Sequence, residues 1–266
     1  MSDSRPTTVR PAWIAVMLLA FGLCFTLGRS LGGPSADERS STQQAPLTDG
    51  RLYKVPVSLS QPQRGVNEPL VMIVEWCDLR GASCRQSDAM TSALLEKYPG
   101  EVRHSWRHLP DKSSADSLEM HEFARVALEQ AGRFWEVRKQ LLGRPDSPIA
   151  RAELAGMAQK AGMDWSAVES AMTSDRYIPY VSADEMFASR FGVEKGPTFY
   201  VNGRRLMEPV TADRLNALVA QELTHAKAVL ARTKTTRELL YQEITRDGLF
   251  QPPLAVIAQT QTGTSR

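Results

Sequence analysis

The sequence predicts an α/β body interrupted by a long helical segment and preceded by one membrane-spanning helix. Three observations carry that reading. An apolar run at 70–76, a helical stretch at 83–97 and an alternating stretch at 102–109 make a β-α-β unit. A mostly helical block from about 117 to 191 separates that unit from a strand, an Asn202-Gly203 hairpin turn and a long closing helix. An uncharged run of seventeen residues, 12–28, stands near the N-terminus.

Arg5 and Arg10 precede that run, and as a helix it spans about 25 Å, the short end for crossing a bilayer. No Ala-x-Ala cleavage site follows, and Leu23 directly before Cys24 is wrong for a lipid-modified cysteine. The expectation is an uncleaved anchor with residues 1–11 in the cytoplasm. Residues 29–63 are rich in Ser, Gly, Pro and Gln and read as a flexible linker.

Within the body, 70–76 is continuously apolar up to Glu75 and reads as a buried strand. Ser83 is a plausible cap for the helix that follows, and Tyr98-Pro99-Gly100 ends it. The strand at 102–109 then lies parallel to the first, because a helical crossover joins them. Gly132, the segment 143–145, Gly162 and Pro179 break the helical block. Residues 198–201 form a strand, 204–207 return from the turn, and 211–232 form the last long helix. In that helix Leu215, Leu218, Val219 and Leu223 have core spacing. A shorter helix is expected at 235–247, with Leu239, Leu240 and Ile244 for packing or a protein contact, and a disordered tail at 251–266.

Composition narrows the function. The chain has 266 residues, 42% of them apolar, and a formal net charge of +2. Beyond residue 29 basic and acidic residues are equal in number, so no polyanion partner and no nucleic acid are expected. Three cysteines are too few for a small disulfide scaffold.

Several segments together are more specific. They are Val74-Glu75-Trp76-Cys77-Asp78-Leu79, then Glu129-Gln130-Ala131-Gly132-Arg133-Phe134-Trp135, then Phe191-Gly192-Val193 with Gly196-Pro197-Thr198-Phe199-Tyr200-Val201-Asn202-Gly203. In this order and spacing the chain resembles the DsbA-like thiol–disulfide oxidoreductases of the bacterial envelope, over about 55–225. The resemblance implies a thioredoxin fold over 64–225, with a helical insertion at about 114–191; a helical extension at 226–250 lies beyond it. It also implies a periplasmic body with client proteins or peptides as partners, which the run at 12–28 would hold as a single-pass inner-membrane protein.

The family's Cys-x-x-Cys aligns with Gly81-Ala82-Ser83-Cys84. Its chemistry needs a thiolate at the helix N-terminus, where the dipole and free N–H groups stabilise negative charge. Here the resolving position is Cys84 and the nucleophile position is Gly81. Glu75 matches the family's buried acid. Pro197 matches its cis-proline, preceded by Gly196 where the family usually has Val or Thr, and followed by Thr198. That loop offers backbone groups to an extended peptide, so Gly81, Ala82, Ser83, Gly196, Pro197 and Thr198 are candidate binding residues. Cys77 lies outside the family motif; in an oxidising compartment Cys77 and Cys84 either pair or stay buried.

No cofactor or metal site is expected. His104 and His108 share a strand face, but no Cys-x-x-Cys or helical His pair supports a zinc site with the cysteines. His121 and His225 read as surface or boundary residues, and Trp106, Trp135 and Trp165 as core or interdomain anchors. Two functions fit: a client-binding module lacking the nucleophilic cysteine, and an atypical oxidoreductase using Cys84, alone or with Cys77.

Overall fold

The strands β1 (Gln63–Gly65), β2 (Val71–Cys77), β3 (Val102–His108), β4 (Thr198–Val201) and β5 (Arg204–Arg205) form one mixed sheet in the order β1-β3-β2-β4-β5. A computed structural model describes residues 45–250 apart from 115 and 146. The expected parallel pair is present: β2 and β3 run in register from Val71 opposite Val102 to Cys77 opposite His108. β4 and β1 are antiparallel to their neighbours.

Every residue of β2 is buried, as expected for a central strand covered on both faces. Side chains alternate between the faces. Met72, Val74 and Trp76 pack with Tyr53, Phe191 and Tyr200. Val71 and Ile73 pack on the other face under the long helix α7 (Ala212–Arg232), whose Leu215, Leu218 and Val219 are buried as their spacing predicts. Glu75 and Cys77 continue that second face. Between the strands lies α1 (Ala82–Lys97), which buries Cys84, Ser87, Thr91 and Leu94 at helical spacing.

The insertion is α2 (Ser117–Ala131), α3 (Phe134–Leu142), α4 (Arg151–Lys160), α5 (Trp165–Thr173) and α6 (Ile178–Arg190). Its apolar core includes Phe123, Phe134, Leu154 and Val168 and extends to Cys77, Cys84 and Trp106. The β4–β5 turn places Asn202 and Gly203 at positive φ, 45° and 81°, the backbone that an Asn-Gly turn supplies. Asn202 also accepts from the Met72 N–H at 2.9 Å and donates to the Leu70 carbonyl at 3.1 Å, stitching the hairpin to β2.

Three expectations are corrected. The linker does not extend to residue 63. Residues 45–57 strap the body: Tyr53 and Val55 are buried, the Tyr53 N–H donates to the Gly203 carbonyl, and Arg107 on β3 donates to the Pro56 carbonyl. The segment lacks a periodic pattern because its order comes from these scattered tertiary bonds. The last helix is shorter than expected, α8 (Leu240–Ile244). Leu240 and Ile244 are buried and Leu239 is exposed. His121 is fully buried rather than at the surface, for the reason given below. The apolar run at 12–28, Cys24, the linker before residue 45 and the tail at 251–266 lie outside the described residues. Among the described residues no helix is long and apolar enough to cross a membrane.

Candidate functional site

Cys77 ends β2, and Cys84 occupies the first turn of α1. The loop between them turns back so that their Cα atoms lie 5.9 Å apart, and the two sulfurs form a disulfide. Of the alternatives the sequence left open, the two cysteines pair: Gly81 stands where the family has the usual partner, and Cys77 supplies another. Both residues are closed to solvent, Cys77 at 0% and Cys84 at 1% exposure.

Glu75 lies two residues before Cys77 on the same face and is fully buried. The Ser87 hydroxyl has one proton, donates it to Glu75 Oε1 at 2.5 Å, and lies 3.8 Å from Cys77 Sγ. His104 Nε2 is 2.8 Å from Glu75 Oε2, and Arg138 of α3 approaches the same oxygen to 3.8 Å. The His104 approach is off line for a regular hydrogen bond, so it acts chiefly through charge and dipole. Arg64 Nε donates to His104 Nδ1 at 3.2 Å, which places the proton of a neutral His104 on Nε2, facing Glu75. Asp88 closes the network by accepting from Arg64 at 3.0 Å and from Arg138.

These contacts set the charges. Burial would raise the Glu75 pKa, but His104, Arg138 and Ser87 together bring it below the usual carboxylate value. Burial drives His104 down to about 4, against the pull of Glu75 and with help from Arg64 and Arg138. Glu75 is thus a paired carboxylate beside a neutral imidazole.

A second buried network lies under the loop. Burial would raise Asp78, and His121 and Ser117 hold it below its usual value instead. His121 Nε2 is 3.0 Å from Asp78 Oδ1, and Ser117 donates to the same oxygen at 2.7 Å. His121 Nδ1 meets His108 Nδ1 at 3.0 Å, and its ring stacks on Trp106. These partners explain why His121 is interior. Burial, then the neighbouring His121 and Arg125, keep the pKa of His108 well below its ordinary value. His104 and His108 do share a face, but each is engaged in a separate network. Among the described residues no group of three or more His, Cys, Asp or Glu side chains is placed to hold a metal ion.

The loop before β4 faces the disulfide. The Gly196–Pro197 bond is cis, and the Ser83 hydroxyl donates to the Gly196 carbonyl at 3.4 Å. Gly81, Ser83, Cys84 and Gly196 line one cavity of about 330 Å³. Ala82 lines an adjoining hollow with Gly81 and Arg80. Pro197 and Thr198 line a cavity of about 370 Å³ on the far side of the loop. The candidate residues therefore surround one loop, divided between its two sides.

Gly196 also has a local cause. A Cβ there would lie 2.7 Å from Cys77 Cα, 2.9 Å from the Trp76 carbonyl oxygen and 3.3 Å from Cys77 Sγ. The two closest of these are backbone atoms, so the end of β2 excludes a methyl group at 196. Gly196→Ala is expected to destabilise the chain by about 1–3 kcal/mol, because backbone must move to admit the methyl group. Urea unfolding checks this; an unchanged midpoint would show that the approach is not tight.

Ser87, Arg64, Asp88 and Arg138 were not foreseen as site residues. Arg138 had a signal: it falls between Val137 and Leu141 in the buried stripe of α3, where an arginine requires a buried acid.

The thioredoxin family model matches residues 58–221. The chain therefore belongs to the thioredoxin family, with the DsbA-like form of the fold. A Na(+)/H(+) antiporter NhaA 3 of Salinispora tropica is 31% identical over 170 residues, covering 62% of this chain and 25% of the antiporter. The NhaA antiporter of Herminiimonas arsenicoxydans is 26% identical over 156 residues, 59% of this chain and 24% of that protein. The chain spans about a quarter of the length of these curated relatives. Among solved structures, oxidised BdbD of Bacillus subtilis superposes with a TM-score of 0.59 at 18% identity, covering 65% of this chain and 98% of BdbD. The thiol-disulfide exchange protein α-DsbA2 of Wolbachia pipientis gives 0.55 at 14% identity, covering 62% and 88%. At these identities the structural likeness shows the fold alone.

Proposed function

We propose that this chain is a membrane-tethered, envelope-facing thioredoxin-fold module that binds extended segments of client proteins at the 195–198 loop and exchanges disulfides poorly. The burial of both sulfurs carries the reading. Exchange requires an attacking thiolate to reach a sulfur in line, and the position from which the family presents its reactive thiol holds Gly81. The Cys77–Cys84 bond then serves to hold the loop against α1 and to shape the cavity. The apolar run at 12–28 supports the tether. The curated relatives, named as antiporters, support work beside a membrane.

A second reading has its own observation: Cys84 lines the cavity, so a client thiolate would attack Cys84 and expel Cys77. The two readings separate in one experiment on the full-length chain in neutral detergent. A labelled, cysteine-free extended peptide and a cysteine-bearing one are offered to the wild type and to a Cys77→Ala/Cys84→Ala variant. The binding reading expects no mixed disulfide on the wild type, and it expects the variant, whose loop is no longer held by the disulfide, to keep the cysteine-free peptide more weakly. Rapid mixed-disulfide formation at Cys84 would overturn it in favour of exchange.

A further inference from the structure

The two sides of the 195–198 loop carry opposite charge. On the Cys84 side the cavity is lined by Asp78, Asp111 and Glu194, with Lys195 as its one cation. Lys195 faces the other way, to Glu208 at 4.0 Å. Asp78 is held by His121 and Ser117, and Asp111 accepts from the Ser113 N–H and hydroxyl, but Asp111 and Glu194 have no cation within ion-pair distance among the described residues. On the Pro197 side, Arg51, Lys195 and Arg205 line the second cavity with Asp49 and Glu208. Both of those acids are engaged: Asp49 accepts from the Tyr53 hydroxyl and the Arg51 N–H, and Glu208 accepts from the Val210 N–H and faces Lys195. Arg51 and Arg205 have no carboxylate within ion-pair distance among the described residues. Apolar contact surface is present on both sides, Leu109 and Pro110 on the first and Leu206, Met207 and Val210 on the second.

From this charge pattern we infer that the groove takes an extended peptide segment of mixed charge, with a Lys or Arg in the Cys84-side cavity and an Asp or Glu in the Arg51/Arg205 cavity. The inference rests on the reading of the loop as a peptide-binding site and names the class of segment that fits it. The loop contacts of both cavities fall within residues 195–198: Lys195 lines both, Gly196 the first, Pro197 and Thr198 the second. At about 3.3 Å per residue that stretch spans at most about 10 Å, so the two charges sit about two to four residues apart in an extended peptide. A chain with one sign of charge satisfies one cavity and is repelled by the other.

The test uses four labelled nine-residue peptides on one Thr/Val/Ala background: neutral, two lysines, two aspartates, and one lysine with one aspartate three residues apart. Each is titrated by fluorescence anisotropy against the full-length chain in neutral detergent at low salt. The mixed-charge peptide is expected to bind tightest, with an advantage that shrinks as salt rises. Glu194→Lys and Arg51→Glu alter exposed side chains and leave the core untouched. Each is expected to weaken the mixed peptide by about two- to fivefold, the range of an exposed ion pair. Glu194→Lys should also strengthen the two-aspartate peptide, and Arg51→Glu the two-lysine peptide. Equal binding of all four peptides overturns the charge rule and leaves the binding reading standing. Absence of binding by all four removes both.

Discussion

Gly81→Cys is expected to raise thiol–disulfide exchange well above that of the wild type. Gly81 has an ordinary extended backbone, with φ −65° and ψ 129°, and a Cβ there meets Cys84 Sγ at 3.5 Å without overlap. The new thiol would start a sixteen-residue helix that has no side-chain cap and no acid in its first turn. Those free N–H groups lower a thiol's pKa below the usual value of about 8.5. At a pKa of about 7 half of it is thiolate at neutral pH, against a few per cent for free cysteine. Attack on Cys84 then forms an 81–84 disulfide and releases Cys77 as a thiol beside Ser87. Turnover of a model protein disulfide by wild type, Gly81→Cys and Cys84→Ser gives the check. A gain of about tenfold or more is expected in Gly81→Cys alone, from that thiolate fraction and its access. Strong wild-type activity that disappears in both Cys77→Ser and Cys84→Ser would instead make the buried pair the working one.

Acid should destabilise the body well above the usual carboxylate range. His104 titrates near 4 in the folded chain and His108 also lies well below its ordinary value, whereas both take up protons near 6.5 when unfolded. The unfolded state therefore binds more protons between those values. The stability these groups contribute is complete above about pH 6.5 and declines as pH falls toward 4. For His104 alone the loss amounts to about 3 kcal/mol. Glu75 and Asp78, both held below their ordinary values, extend the decline at lower pH. Glu122 opposes it. Burial, Asp175 and Glu119 raise this carboxyl to about 7, so the folded state takes up its proton first and gains stability as pH falls from 7. Asp184 and Glu222, also raised by burial, act in the same direction as Glu122, so the net proton uptake on unfolding is smaller than the two histidines alone would give. Urea unfolding at pH 7.5 and 5 should show a steeper loss in Glu122→Gln than in wild type, and a shallower one in His104→Gln. Identical slopes in all three would mean that the imidazoles are charged in the folded chain.

Much of the architecture was legible because it rests on local patterns. The apolar run of β2, the Asn-Gly turn and the spacing of Leu215, Leu218 and Val219 each determine an element through near neighbours. The cis bond at Pro197 and the burial of Glu75 followed from matching short segments in order. What escaped the sequence depends on distant partners. β1 is three polar or small residues with no pattern of its own, and it exists because β3 offers an edge. His121 looks like a surface residue until Asp78, 43 residues earlier, is placed against it. Glu75, His104 and Arg138 come from a strand, its neighbour and an inserted helix, and only the tertiary fold brings them together. The disulfide required the distance between two Cα atoms, which spacing alone does not give.

The strap at 45–57 also fixes where the chain enters and leaves the body. Leu52 accepts from the Leu249 N–H, and the Lys54 N–H donates to the Leu249 carbonyl, each at 2.8 Å. Entry and exit thus lie side by side, the arrangement that lets a domain be spliced into another polypeptide without spreading its host apart. A body built this way can travel as a cassette. That portability fits a chain whose matching stretch occupies about a quarter of much longer proteins named as antiporters.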